Sequence, residues 1–130
     1  MGNEIVRISS GAKWENVIGY SRAVKSGSRI IIGGTTAIDE NSNIVGPGNV
    51  YEQTKYIFRK IEGYLKQAGA SFEDVVLNRI YVADRLRMDE AGKAHAEFFG
   101  QIKPCCTMIE VKGFIDPDML VEIETEAAVH

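Results

Sequence analysis

The sequence is sparing with sulfur, imidazole and proline: two cysteines, two histidines and three prolines in 130 residues. The cysteines stand side by side, Cys105 and Cys106, at the head of what reads as a strand. Neighbouring strand residues point to opposite faces, so the two thiols cannot act on one substrate atom, and a bond between them would strain the backbone. A disulfide scaffold is thereby excluded. A zinc site needs about four ligands. Two cysteines, His95, a terminal His130 and carboxylates without ligand spacing do not make one, so no metal is expected.

Long apolar runs are missing as well. None approaches the roughly 18 to 20 residues that cross a bilayer, and the start, MGNEIVRISS, lacks the layout of a secretion signal. A cytoplasmic protein with no membrane partner is expected. An excess of positive charge is also absent: the formal charge is −3, with lysine and arginine scattered along the chain. Nucleic acid is therefore not the expected partner, since phosphate neutralisation drives such binding. The glycines of IIGGTTA, Ile31 to Ala37, follow neither phosphate-binding layout, and the plainer reading is a strand end that another group approaches closely.

What remains is an ordinary globular composition, 45% hydrophobic and 25% charged, which fits one domain over residues 1–130. Strands are predicted over Ile5 to Ile8, Ser21 to Lys25 and Arg29 to Gly33, the last two joined by a Ser26-Gly27-Ser28 hairpin turn. Asn49 and Glu52 form a capping-box signature. After it Tyr51, Thr54, Phe58, Ile61, Leu65 and Ala68 recur at helical spacing, and Gly69 supplies a left-handed stop. Gly63 inside this helix should cost about 1 kcal/mol against alanine, a cost that close packing of a neighbour would offset.

In the next strand Val76, Asn78, Ile80 and Val82 should share one face, with Leu77, Arg79 and Tyr81 on the other. A second helix, roughly Met88 to Gly100, carries Met88, Ala91, His95, Phe98 and Phe99 along its inward stripe. Strands over Thr107 to Val111 and Leu120 to Val129 close the chain. In the last, Val121, Ile123, Thr125 and Ala127 face one way and Glu122, Glu124 and Glu126 the other. This order implies an α+β fold, a mixed sheet of about six strands with both helices on one face. The opposite face, bearing three glutamates, Arg79, Tyr81 and Arg22, is the kind of surface that meets another subunit, so a homo-oligomer is expected.

Each chemical group has a plain alternative. Cys106 as a nucleophile would need a base, and His95 is the only internal one; otherwise Cys106 is a small strand residue. His95 on an inward stripe reads first as a hydrogen-bonded packing residue. Arg79 and Arg22 either line a cleft or pair with the glutamate row, which would repel itself without partners.

Taken in order, IGYSRAV, GGTTAID, YEQTKYIFRKIEGYLKQAGASFEDVV, AHAEFFG, KPCCTMIEV and DPDMLVEIETEAAV resemble the Rid family of reactive intermediate deaminases, also called YjgF or L-PSP, over roughly Ile18 to Val129. The resemblance implies a chorismate-mutase-like fold and a homotrimer binding small molecules in clefts between subunits. It also implies hydrolysis of enamines and imines, such as 2-aminoacrylate, to ketoacids and ammonia without a cofactor. Carried over residue by residue, Tyr20 matches the family's cleft tyrosine, although the proline usual before it is missing. Gly34 and Thr35 occupy the strand-end position, and Glu122 matches the first glutamate of the E-I-E run. The substrate-gripping arginine falls on Cys106. A guanidinium holds a carboxylate through two parallel hydrogen bonds that a thiol cannot make, and losing such a contact removes on the order of 2 to 4 kcal/mol. The cleft is then re-lined by Cys106, Thr107 and His95, with Glu122 the group to move protons. The alternatives are a binding trimer without turnover and, on the label that some relatives carry, an endoribonuclease or translation inhibitor.

Overall fold

Gly27, at φ +60°, turns the chain between β2 (Ala23–Ser26) and β3 (Arg29–Thr36), and a glycine in the first position is what a two-residue hairpin loop of this kind favours. In the computed structural model, which describes residues 4–130, this hairpin lies in a six-stranded sheet with β1 (Ile5–Ile8), β4 (Val75–Val82), β5 (Cys105–Glu110) and β6 (Val121–Ala128). The order is β1-β2-β3-β6-β4-β5, antiparallel except where β4 runs parallel to β5. A parallel pair needs a crossover. Here it is the helix α2 (Met88–Phe99), which packs beside the longer α1 (Val50–Gln67).

Helix α1 begins where Asn49 accepts the Glu52 backbone N–H at 2.9 Å. The reciprocal half of the expected capping box is not formed, because the Asn49 N–H goes to the Gly46 carbonyl instead. The helix ends at Gly69, φ +80°, with Ala70 N–H on the Leu65 carbonyl and Gly69 N–H on that of Lys66, the paired bonds of a Schellman stop. Its core face is Val50, Gln53, Thr54, Ile57, Phe58, Ile61 and Leu65. Tyr51, predicted on that face, instead donates its hydroxyl to Glu97. No atom approaches the space beside Gly63 within 4 Å, so the close packing that would justify a glycine there is not found.

The core lies between the helices and one sheet face: Ile30, Ile32, Ile80, Val82, Val121 and Ile123 meet Ile57, Phe58, Ile61, Leu65 and Phe99. Within it, Gln53 ties three segments together. Its amide donates to the carbonyls of Gly46 and Asp118, and its oxygen accepts from Leu120 N–H. A fully buried primary amide thus finds the partners its desolvation demands.

The alternation of β6 is as predicted, with Val121, Ile123, Thr125 and Ala127 buried. That of β4 is not. Between Val75 and Leu77 the register against β6 slips by one residue, a bulge that buries Val75 and leaves Val76 51% exposed. Val76 therefore does not share the face of Asn78, Ile80 and Val82.

Candidate functional site

A second bulge, in β3, builds the site. Ile32 pairs with Thr125 but Thr35 with Ile123, so Gly33 and Gly34 take up one extra residue. The bulge reverses the alternation: Ile30 and Ile32 face the core, and beyond it Thr35 does. Thr35 donates its hydroxyl to the Gly33 carbonyl at 2.8 Å. Gly34 turns to the opposite face, against the Glu122 side chain. A Cβ at Gly34 would lie 2.9 Å from the Glu122 carboxyl carbon and closer still to Oε2. Gly34 is thus the residue that lets this carboxylate lie flat on the backbone.

Glu122 is half-buried, and desolvation pushes its carboxyl pKa above the ordinary range, with Arg22 opposing and Glu124 adding to the rise. The shift is in the direction that favours the protonated form, the one a general acid must supply. Arg22 donates through Nη1 to the Gly34 carbonyl, and its guanidinium lies over the Tyr20 ring, 5.5 Å from the centroid. Tyr20, Arg22, Gly34 and Glu122 line one cavity of about 790 Å³. A smaller cavity of about 400 Å³, bounded by Gly34, Tyr81, Phe114 and Glu124, shares Glu122 as its wall.

Sequence reasoning missed Lys60, which lines the larger cavity between Tyr56 and Tyr64. Its ammonium donates to the carbonyls of Thr36 (2.8 Å) and Ile38 (2.9 Å). Burial first, and then Arg22, lowers its pKa to about 8, against a smaller upward pull from Asp39. The row Tyr56-Lys60-Tyr64, at i, i+4 and i+8, was the available signal: residues so spaced lie on one helix face. Trp14, at the head of a short helical turn that runs to Gly19, and Phe114, in a loop, are also in this lining and carry no periodic signature.

The other expected site residues lie elsewhere in the protomer. Cys106 is paired with Asn78 across the parallel ladder and so faces the helix layer at the sheet edge, on the opposite face from Glu122. It is exposed, yet partial desolvation of its thiol raises the pKa, the wrong direction for a nucleophile. Thr107 pairs with Arg79 on the other face. Arg79 is ion-paired with Glu126 at 2.9 Å, and Arg29 reaches the same carboxylate at 3.2 Å. Of the two arginines expected to neutralise the glutamate row, Arg79 does so by an ion pair, whereas Arg22 acts on Glu122 by charge without an ion pair among the described residues.

His95 packs inside. Its ring stacks on Phe99 at 5.0 Å, and its Nε2 lies 3.1 Å from Asn78 Nδ2. Because Thr125 donates its hydroxyl to Asn78 Oδ1, the Asn78 amide must donate to His95. Nε2 is then the acceptor of a neutral imidazole, and burial lowers the His95 pKa accordingly.

The chain is similar in sequence and fold to known proteins. The sequence profile described as Endoribonuclease L-PSP matches residues 11–129. A protein of Streptomyces coelicolor is 39% identical over 128 residues, covering 98% of this chain and 95% of the relative. The 3-aminoacrylate deaminase RutC of Acinetobacter baylyi is 31% identical over 110 residues, 85% and 86% of the two chains. A crystal structure of a Mycobacterium tuberculosis member of the YjgF/YER057c/UK114 family superposes with TM-score 0.87 at 42% identity, over 97% of this chain and all of the other. The fold is accordingly the chorismate-mutase-like one, a six-stranded mixed sheet with two main helices, and the chain belongs to the L-PSP/YjgF (Rid) family.

Proposed function

We propose that the protein hydrolyses small enamines or imines to carbonyl compounds and ammonia in clefts between the subunits of a cytoplasmic homotrimer, with Glu122 as its acid–base group and no cofactor. The observation that carries this reading is Glu122 itself, a desolvated carboxyl of raised pKa laid against Gly34 in a cavity edged by Tyr20. The Acinetobacter baylyi relative is named for deaminating 3-aminoacrylate, an enamine.

Protonated Glu122 gives its proton to the β-carbon of the enamine, whose nitrogen lone pair becomes the C=N bond of an iminium. The carboxylate so formed takes a proton from water as the water oxygen bonds to the iminium carbon. Glu122 then protonates the carbinolamine nitrogen and takes back the hydroxyl proton as the oxygen lone pair closes the C=O bond, and the C–N bond breaks to release ammonia and leave Glu122 protonated as at the start. Tyr20 positions the water or substrate, and the positive charge of the iminium is stabilised by the newly ionised Glu122. Cys106 and Glu122 lie on opposite faces of one protomer, so a cleft containing both takes Glu122 from one subunit and the β5 edge from its neighbour.

The test is the rate of ketoacid release when the protein is added to a pyridoxal-phosphate lyase generating 2-aminoacrylate. Acceleration is expected, with a fall of about 10²- to 10⁴-fold in E122Q and a descending pH limb above the ordinary carboxylate range. No acceleration by the wild type removes the hydrolase reading. A binding trimer without turnover is the second reading, favoured by the thiol at 106. It would show ligand-induced thermal stabilisation alone.

A further inference from the structure

We propose that Arg22 and Lys60 together form an anion anchor in the Glu122 cavity, so that the ligand of this site is a small carboxylate gripped from the β2–α1 side rather than from position 106. This deepens the reading above and rests on it for the identity of the reacting group.

The two cations are set along one strand edge. Strand β2 pairs with β3 as far as Ala23 with Ile32. Beyond that point the β3 carbonyls of Gly34 and Thr36 are taken by Arg22 and Lys60 respectively. Carbonyls two residues apart on a strand point the same way, about 6 to 7 Å from each other. The guanidinium and the ammonium are therefore placed side by side along the cavity wall. An ammonium has three N–H donors and a guanidinium five. Lys60 uses two of its own and Arg22 one, among the described residues, which leaves donors of both for a ligand.

Neither cation makes an ion pair among the described residues, whose salt bridges all involve other arginines. Asp39, an acid coupled to Lys60 in charge, makes no ion pair with it among the described residues and accepts the backbone N–H groups of Asn41 and Asn43. Glu122 and Glu15 are both coupled to Arg22 in charge, but neither forms an ion pair with it among the described residues. Two half-buried positive charges sharing one cavity repel each other, and the lowered pKa of Lys60 has that direction. A carboxylate between them removes the repulsion and supplies acceptors to the spare N–H groups. Its remaining atoms reach Glu122 and lie against Tyr20 and Tyr64.

The test compares pyruvate with pyruvamide, the same shape with and without charge, titrated calorimetrically into wild-type protein and into E122Q. Pyruvate should bind at least tenfold more tightly than pyruvamide in both. K60M should abolish that preference and K60R should keep it, with melting curves recorded for each variant. Should K60M be unfolded, because Lys60 also ties Thr36 and Ile38, R22Q replaces it and should cut the preference at least fivefold. Equal binding of the two probes by the wild type, or a preference intact in a folded K60M or R22Q, overturns the anchor. A charge preference without enamine turnover leaves the anchor standing and removes the hydrolase; turnover without a charge preference does the reverse.

Discussion

Glu122 is a residue whose environment works against its charge. Burial is the leading cause of its raised pKa, so the folded state favours the protonated form more than the unfolded chain does. The sign follows by linkage: the stability that the neutral carboxyl contributes is complete below the unfolded-state pKa and is lost as pH rises through the folded-state value. E122Q, neutral at every pH and of nearly the same shape, escapes that loss. Its melting temperature should exceed that of the wild type at pH 7.5, and the gap should close as the pH is lowered to 4. A gap that widens on acidification would reverse the assignment. Glu122 was legible in the sequence because the strict alternation of β6 fixes which way it points. Lys60 was hidden by the same kind of reasoning. An α1 stripe drawn through apolar residues passes over a lysine whose stem and ammonium are half-buried beside it.

At the scale of the element, the two long helices were placed correctly along the chain, although Tyr51 lies off the predicted face, and the strand faces were read correctly only where the ladders are regular. Each bulge inserts one residue and reverses the pattern beyond it, so Val76 and Thr35 point opposite to what period two predicts. Nothing in VVLN announces this, whereas the paired Gly33-Gly34 did mark a strand interrupted by close approach. The cap was half legible: Asn49 performs its role, but Glu52 does not reach back. The helix α1 offers a clean test of propensity. Gly63 is exposed, within the helix, with open space where a Cβ would stand. Gly63→Ala should therefore stabilise the protein by about 0.5 to 1 kcal/mol, read as a raised urea midpoint with an unchanged slope.

For the whole molecule, the sheet face away from the helices carries both an ion and hydroxyl ladder, Arg29 and Arg79 on Glu126 and Tyr81 on Glu124, and apolar side chains left uncovered, Ile31 at 44% and Ile109 at 46% exposure. Solvent is a poor partner for such a mixture, and an aligned neighbour is a better one. The homotrimer proposed above covers this face. Sedimentation velocity should give three protomers for the wild type and a shift towards monomer for Ile31→Glu, which puts a charge among those apolar groups. A wild-type monomer would remove the intersubunit cleft.

Gln53 fixes another property of the whole. One buried amide holds the start of α1, the turn at Asp118 and the head of β6 in a single knot, and the segment from Val111 to Pro117 hangs from it with Gly113 and Phe114 on the cavity rim. Changes of length are therefore tolerable ahead of the knot and ruinous within it. A lineage descending from this chain could lengthen or shorten the rim between Lys112 and Asp116, altering which molecules enter, while everything that supports Glu122 from behind stays in register.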